Sequence, residues 1–249
     1  MAWRARIAMV FVLTGSMIPC AGEEPTPARK NLDKAIEVMG GKARLSLPGF
    51  SGSSEGKIFI ENQMRTIRND WHVQGLDKVK WASEVDLNGK NSFTLVVDGK
   101  QGWLKGNQGE ANSVDPEHIK PFLHGLAALR IVESLVPLTD KNWKLSHLGD
   151  LKIDETMCVG IKASRKGFPN MDIYFDKASH LPHRVAMTIT ETTGREVPYH
   201  ATFTKYKDVG GRKFFSHLQV VREDQLMLEM DRSGFKTHDQ NDDSSFGKP

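Results

Sequence analysis

The stretch that decides the fold is VKWASEVDLNGKNSFTLVVDGK, residues 79–100. Apolar and polar side chains alternate on both sides of Asn88-Gly89, and Asp98-Gly99 closes the stretch. Such alternation is typical of β-strands with one buried face. Asn-Gly and Asp-Gly pairs tolerate the positive φ angles of tight hairpin turns. The stretch therefore predicts neighbouring antiparallel strands.

The same period-two pattern extends in both directions along the chain. It recurs at 57–61 and, in the second half, at 143–151, 156–164, 171–176, 183–191, 199–208, 213–223 and 225–232. Glycine- and proline-containing turn signals separate these runs, and strands do not alternate with helices, which argues against a parallel sheet. We predict a mainly β fold, an antiparallel sheet of roughly ten or eleven strands.

Two segments carry the helical period instead. In residues 28–39 the apolar side chains recur at three and four, and Gly40-Gly41 stops the pattern. A second helix is predicted after Asp115, a good N-cap, and before Pro137. The broad apolar stripe of this second helix predicts that it covers one face of the sheet.

Several strands are apolar on both faces, notably 213–221 and 226–230. A sheet with two apolar faces needs two covers. The helices can supply one. For the second face, a half-closed barrel around a cavity and a plain two-layer core are both compatible with the pattern, which does not distinguish them.

The N-terminus predicts a signal peptide over residues 1–22. Arg4 and Arg6 precede an apolar run that is shorter than the roughly 20 residues needed to span a bilayer, and small residues follow it. Pro19 stands where a lipoprotein signal has a small residue before its cysteine, so the sequence favours cleavage over lipidation at Cys20. We expect a periplasmic or otherwise exported protein.

Composition limits what the exported chain can be. The formal net charge of +3 falls to about +1 without Arg4 and Arg6, and a near-neutral body argues against nucleic-acid binding. Cys158 would be the one remaining cysteine, in an apolar stretch, so we expect no internal disulfide and a buried thiol. We predict a single domain over residues 23–235 and a polar C-terminal tail over 236–249.

Four motifs carry a resemblance to a known family. They are LDKAI (32–36) followed by Gly40-Gly41, YFDKASHLPHR (174–184), YKDVGGRKF (206–214), and the ending Asp242-Asp243 with FGKP (246–249). The first resembles the opening helix of the outer-membrane lipoprotein-sorting family, the LolA/LolB-like carriers, and the next two resemble its recurring hairpins. The resemblance covers most of the mature chain and is best over 143–249.

The resemblance implies a strongly curved, incomplete barrel with helices over its open side. It also implies a carrier or sensor that holds a lipid or lipoprotein acyl chain on the concave apolar face and does no covalent chemistry. Such a role is compatible with a transient membrane or protein partner. From strand alternation, candidate lining residues are Trp81, Phe93, Leu95, Trp103, Phe122, Leu126, Met187, Phe203 and Leu218.

Catalytic and metal-binding patterns are weak. Of nine histidines, His180 and His183 are the closest pair, but they lie in a proline-containing turn. Ser51, Ser53 and Ser54 stand among glycines but precede a predicted strand rather than a helix, unlike a nucleophile elbow, and the sequence has no phosphate-binding glycine loop. We therefore predict no catalytic residues, metal or cofactor. The alternative function is a protein-interaction or regulatory module of the same fold with a filled core. The sequence leaves the ligand and any partner unidentified.

Overall fold

The computed structural model describes residues 25–60, 63–87, 89–99 and 101–249. The predicted signal peptide, with Cys20, lies outside the described residues. So does Asn88 of the predicted hairpin turn.

The described residues of the first half of the chain form two helices and six strands. The helices are α1 (Pro27–Val38) and α2 (Gly41–Leu45), and the strands are β1 (Gly49–Ile60), β2 (Gln63–Gln74), β3 (Lys78–Asp86), β4 (Lys90–Asp98), β5 (Gly102–Lys105) and β6 (Asn112–Val114).

A long helix, α3 (Pro116–Ser134), and a 3-10 turn (Val136–Thr139) lead into the second half. Its strands are β7 (Lys144–Ile153), β8 (Thr156–Ser164), β9 (Met171–Asp176), β10 (Pro182–Thr190), β11 (Glu196–Val209), β12 (Arg212–Arg222) and β13 (Gln225–His238), and a 3-10 turn (Asp243–Phe246) follows.

All thirteen strands belong to one sheet, in the order β6-β5-β4-β3-β2-β1-β13-β12-β11-β10-β9-β8-β7. Each neighbouring pair is antiparallel. The first and last strands meet at the centre, while β6 and β7 form the two edges, so the barrel is incomplete. Helix α3 connects the two edge strands along the chain and packs against β10. The predicted sheet with covering helices is confirmed.

The element count differs from the prediction. The sheet has thirteen strands rather than ten or eleven, and the described ranges contain three α-helices rather than two. β5, β6 and α2 have four, three and five residues, too short to show a period. On β2, the buried series includes Asn69, which bonds to Ser54 and Ser83 and interrupts the apolar alternation.

Helix α1 buries the apolar stripe that the sequence predicted. Ala28, Leu32, Ala35 and Ile36 of α1 are buried, and α1 packs against β7 and β8. The Asp115 side chain caps α3 by accepting a bond from the Glu117 amide. The helix runs through Pro121 without a break and ends at Leu135, which has a φ of 56°.

The C-terminal segment packs on the first half of the sheet. Residues 236–238 belong to β13. Further along, the Asp243 carboxylate accepts bonds from Gln74 at 2.8 Å and from Lys78 at 2.6 Å. Phe246 is 2% exposed, and its ring centroid lies 4.9 Å from that of His72. An aromatic side chain thus anchors the end of a segment that is otherwise polar.

Candidate functional site

A cleft of about 540 Å³ lies between α3 and the concave face of the sheet. It is lined by Trp81, His118, Pro121, Phe122, Gly125, Leu126, Leu129, Ile189, Glu191, Thr192, Val197, Tyr199, Leu218, Val220, Arg222 and Leu228. Most of these side chains are apolar. Its volume falls in the roughly 300–1,000 Å³ range of small-molecule sites.

The helix side of the cleft combines apolar side chains with a gap. Phe122, Leu126 and Leu129 recur at helical spacing and line it. Gly125 lies between them, and a Cβ built there would be 3.7 Å from the Tyr199 hydroxyl, in ordinary van der Waals contact. A larger side chain at Gly125 would therefore enter the cleft.

The sheet side is built from strands of both halves of the chain. Leu218 and Val220 of β12 pair with Met230 and Leu228 of β13, which places alternate apolar residues on the concave face. Across the cleft, the Trp81 ring centroid lies 5.9 Å from that of Phe122 on α3. The cleft thus runs across the joint between the two halves of the sheet.

The mouth of the cleft is polar. Arg222 contacts Glu191, which also pairs with Arg195 at 3.0 Å. On the helix side, His118 Nδ1 lies 3.0 Å from Asp115 Oδ2. Phe122 is 41% exposed at this end. An apolar interior with a charged rim suits a ligand whose apolar part is inserted.

A smaller cavity of about 60 Å³ continues the cleft inward. Trp81, Leu126, Leu129 and Leu218 line both spaces. The inner cavity is also lined by Phe50, Ser54, Trp71, Val73, Val79, Arg130, Glu133, Phe215, Met230 and Arg232. The apolar cleft therefore ends against charged side chains.

Those charges form one buried cluster around Glu133. Its Oε2 lies 3.2 Å from Arg130 Nη1, and its Oε1 lies 2.6 Å from Arg232 Nη1. Arg212 Nη2 donates to the Glu133 carbonyl at 3.3 Å. Arg130 also donates to the Gly75 carbonyl from Nε and Nη2, each at 3.1 Å. These four charged side chains are all buried.

Aromatic rings surround the arginines. The Arg130 guanidinium lies 3.9 Å from the Phe50 ring centroid, and that of Arg232 lies 4.2 Å from the Phe215 centroid. Burial lowers the pKa of Arg130 to about 10 and also lowers the pKa of Arg212. Arg130 nevertheless keeps its charge near neutral pH, and cation–π contacts partly replace the lost hydration.

The nine predicted lining residues fall into two groups. Trp81, Phe122, Leu126 and Leu218 are brought together in the cleft. The remaining five lie elsewhere, and they are Phe93, Leu95, Trp103, Met187 and Phe203.

Packing and strand register place those five residues. Leu95, Met187 and Phe203 are buried in the core, and Phe93 packs beside Ile67, Val85 and Met230. Trp103 pairs with Val96, whereas Leu95 pairs with Trp81. Because successive side chains of a strand alternate faces, Trp103 lies on the face opposite the cleft.

The arginine cluster was not predicted from the sequence. Its visible signal was the placement of Arg130 and Glu133 three residues apart within an apolar helix stripe, and of Arg212 and Arg232 beside strand aromatics. Charged residues among apolar ones at buried positions require partners. Which partners they find depends on a pairing between α3, β12 and β13 that local sequence does not encode.

Metal-ligating side chains and the thiol of Cys158 occur in the described ranges. No group of three His, Cys, Asp or Glu side chains there could hold a metal ion. Cys158 is buried, and burial raises its pKa to about 11. No helix within the same ranges is long and apolar enough to cross a membrane.

The architecture is similar to that of solved structures of other proteins. The chain superposes on a LolA superfamily protein from Nitrosomonas europaea with a TM-score of 0.59 and 11% identity, covering 90% of this chain and 99% of that one. The chain has a LolA-like fold. No family model and no curated protein matches the sequence.

Two further structures share the LolA-like fold. One is described as an outer membrane lipoprotein-sorting protein domain from Vibrio parahaemolyticus, with a TM-score of 0.53 and 14% identity over 88% of this chain and 97% of that one. The other is a DUF1329 family protein from Desulfovibrio piger, with a TM-score of 0.54 and 14% identity over 90% and 98%. At these identities the likeness concerns the fold.

Proposed function

We propose that this protein is an exported carrier or sensor that binds a single apolar chain, such as the acyl chain of a lipid or lipoprotein, in the cleft under α3. The observation that carries the proposal is the 540 Å³ cleft lined mostly by apolar side chains. Each methylene group moved from water into such a site contributes about 0.8 kcal/mol. Affinity would therefore rise about fourfold per methylene until the cleft is filled.

The fold and the chain's start support this proposal. The Vibrio parahaemolyticus domain that shares the fold is described as lipoprotein-sorting. The predicted signal peptide would deliver the chain to an aqueous compartment, where an acyl chain needs a protein cover because its exposure to water is unfavourable. Fold alone does not determine function, so the cleft is what connects this chain to an apolar ligand.

The proposed function is binding without covalent chemistry. The polar groups at the mouth of the cleft are engaged with one another, since Glu191 holds Arg222 and Arg195. The interior offers apolar contacts from Leu126, Leu218 and their neighbours. These contacts favour retention of a ligand by desolvation.

The test uses mature protein, residues 23–249, purified from its host without detergent. Native mass spectrometry should show an added mass that organic extraction removes. Gly125→Phe places a ring in the cleft and should abolish both the added mass and binding of a fluorescent fatty-acid probe. Gly125→Ala is the matched control, because its Cβ fits beside Tyr199 and alanine favours the helix by roughly 0.5–1 kcal/mol.

Equal probe binding by the wild type and Gly125→Phe would place the ligand elsewhere and refute the cleft. An apo mass with no probe binding to the wild type would refute the carrier function. It would favour the alternative, a protein-interaction module of the same fold.

A further inference from the structure

The buried cluster at the inner end of the cleft has more positive than negative charge. Arg130, Arg212 and Arg232 supply three guanidinium groups, and Glu133 supplies one carboxylate. The exposed fractions of these four residues are 8%, 2%, 8% and 4%, respectively. The formal net charge of the cluster is therefore +2.

An unbalanced buried charge is unfavourable. The desolvation penalty amounts to several kcal/mol per ion unless partners offset it. Arg212 Nε and Nη1 are buried and meet no hydrogen-bond acceptor among the described residues. The Arg232 and Glu133 groups approach to 2.6 Å, but Arg232 Nη1 makes no well-aligned hydrogen bond within the same residues. Arg212 does not line the inner cavity, so the guanidinium donor that lacks an aligned partner there is Arg232 Nη1.

Further donors face the inner cavity. Ser54 lines it, and its hydroxyl accepts a bond from Asn69 at 3.1 Å, which leaves the hydroxyl proton to donate. Trp81 Nε1 is buried and finds no acceptor in the described part of the chain. Because Trp81 lines both spaces, an indole donor stands at their junction.

We propose that the inner cavity binds the carboxylate headgroup of a fatty acid, between Arg130 and Arg232, with the chain extending outward through the cleft. This inference rests on the proposed function and adds the ligand class and its orientation. The headgroup lies at the closed end, and the methyl end points toward Phe122 and the mouth.

Size favours a carboxylate over larger anions. A cavity of about 60 Å³ has room for only a few water-sized groups. The two oxygens of a carboxylate fill such a space, whereas a phosphodiester with its glycerol does not. Glu133 repels an entering anion, but the three arginines outnumber it and leave a net attraction.

The experiment compares matched ligands on the mature chain. Isothermal titration calorimetry would measure binding of dodecanoate and dodecyl phosphate below their critical micelle concentrations and of dodecan-1-ol below its solubility limit. Dodecanoate should bind about tenfold or more tightly than dodecan-1-ol, because charge-assisted hydrogen bonds exceed neutral ones. Dodecyl phosphate should bind more weakly than dodecanoate, since its head is larger. The reverse order would overturn the assignment to a carboxylate.

Variants locate the headgroup. Arg232→Met should reduce the affinity for dodecanoate more than the affinity for dodecan-1-ol, while Arg232→Lys should restore part of the difference. Equal binding of acid and alcohol by the wild type would refute this inference and leave the proposed function standing. Binding of neither ligand would refute both. The comparison of acid and alcohol binding by the wild type tests the inference even if a variant does not fold.

Discussion

Arg232 of β13 and Glu133 of α3 are joined by an ion pair, with 2.6 Å between Nη1 and Oε1 and side chains that are 9% and 4% exposed. β13 lies at the centre of the sheet and α3 crosses its concave face. The pair therefore ties the covering helix to the joint between the two halves of the chain. Arg130 and Arg212 extend the connection to Gly75 and to β12.

Glu133→Gln should destabilise the protein by about 3–5 kcal/mol, because three guanidinium groups would remain buried without a carboxylate. Urea unfolding of the mature chain, followed by tryptophan fluorescence, measures the change in the free energy of unfolding. Glu117→Gln, at an exposed position of the same helix, is the control and should change it by less than about 0.5 kcal/mol. A small effect at Glu133 would mean that cation–π contacts alone stabilise the arginines.

Gly56→Ala tests the joint between β1 and β13. A Cβ built on Gly56 would lie 1.9 Å from the Glu229 carbonyl oxygen and 2.8 Å from the Met230 Cα. Both contacts are with backbone, so the central strands would have to separate, at a cost of about 1–3 kcal/mol or more. Thermal unfolding should show a markedly lower Tm.

Gly106→Ala is the matched control, because a Cβ there meets nothing within 4 Å. Its Tm should stay close to that of the wild type. If the two variants had the same Tm, the close strand approach at Gly56 would be wrong.

Much of the sheet could be predicted from sequence because strand alternation and turn chemistry are local. The seven runs predicted in the second half correspond to β7–β13. Strand β2 was not predicted, because its buried Asn69 interrupts the apolar alternation. The hydrogen-bond partners of Asn69, Ser54 and Ser83, are distant in sequence. The anchoring of Phe246 beside His72 is likewise a long-range contact within a segment of polar composition.

The candidate site could be predicted only in part. Trp81, Phe122, Leu126 and Leu218 follow from alternation and helical spacing, and the structure brings them together. Alternation does not say which of two apolar faces is concave, and Trp103 lies on the other face. The arginine cluster depends on the crossing of α3 over β12 and β13, and no local pattern specifies that crossing.

The Cys158 thiol should be unreactive in the native protein. Cys158 is buried and burial raises its pKa to about 11, so only about one thiol in a thousand is ionised at pH 8. Ellman's reagent should label the native mature chain far more slowly than the chain in guanidinium chloride. Raising the pH from 8 to 9 should speed native labelling about tenfold. Complete native labelling within minutes at pH 8 would show that the β8 region opens readily.

His72 should make stability depend on pH. Burial, followed by the nearby His238, lowers its pKa from 6.5 despite the opposing charge of Asp242, and Lys80 and Arg130 act in the same direction as burial. The unfolded chain then binds a proton more readily than the folded one. The contribution of the neutral side chain to stability is therefore complete above about pH 6.5 and is lost as the pH falls toward the folded pKa.

His72→Phe removes the titrating group and keeps a ring against Phe246, whose centroid lies 4.9 Å away. The free energy of unfolding, measured in urea at pH 7, 6 and 5, should fall less steeply with acidification in this variant than in the wild type. Other histidines with lowered pKa values, such as His124 and His183, contribute equally to both proteins. His147→Phe, at an exposed position of β7, should retain the wild-type slope. If His72→Phe and the wild type had the same slope, His72 would carry the same proton affinity in the folded and unfolded chain.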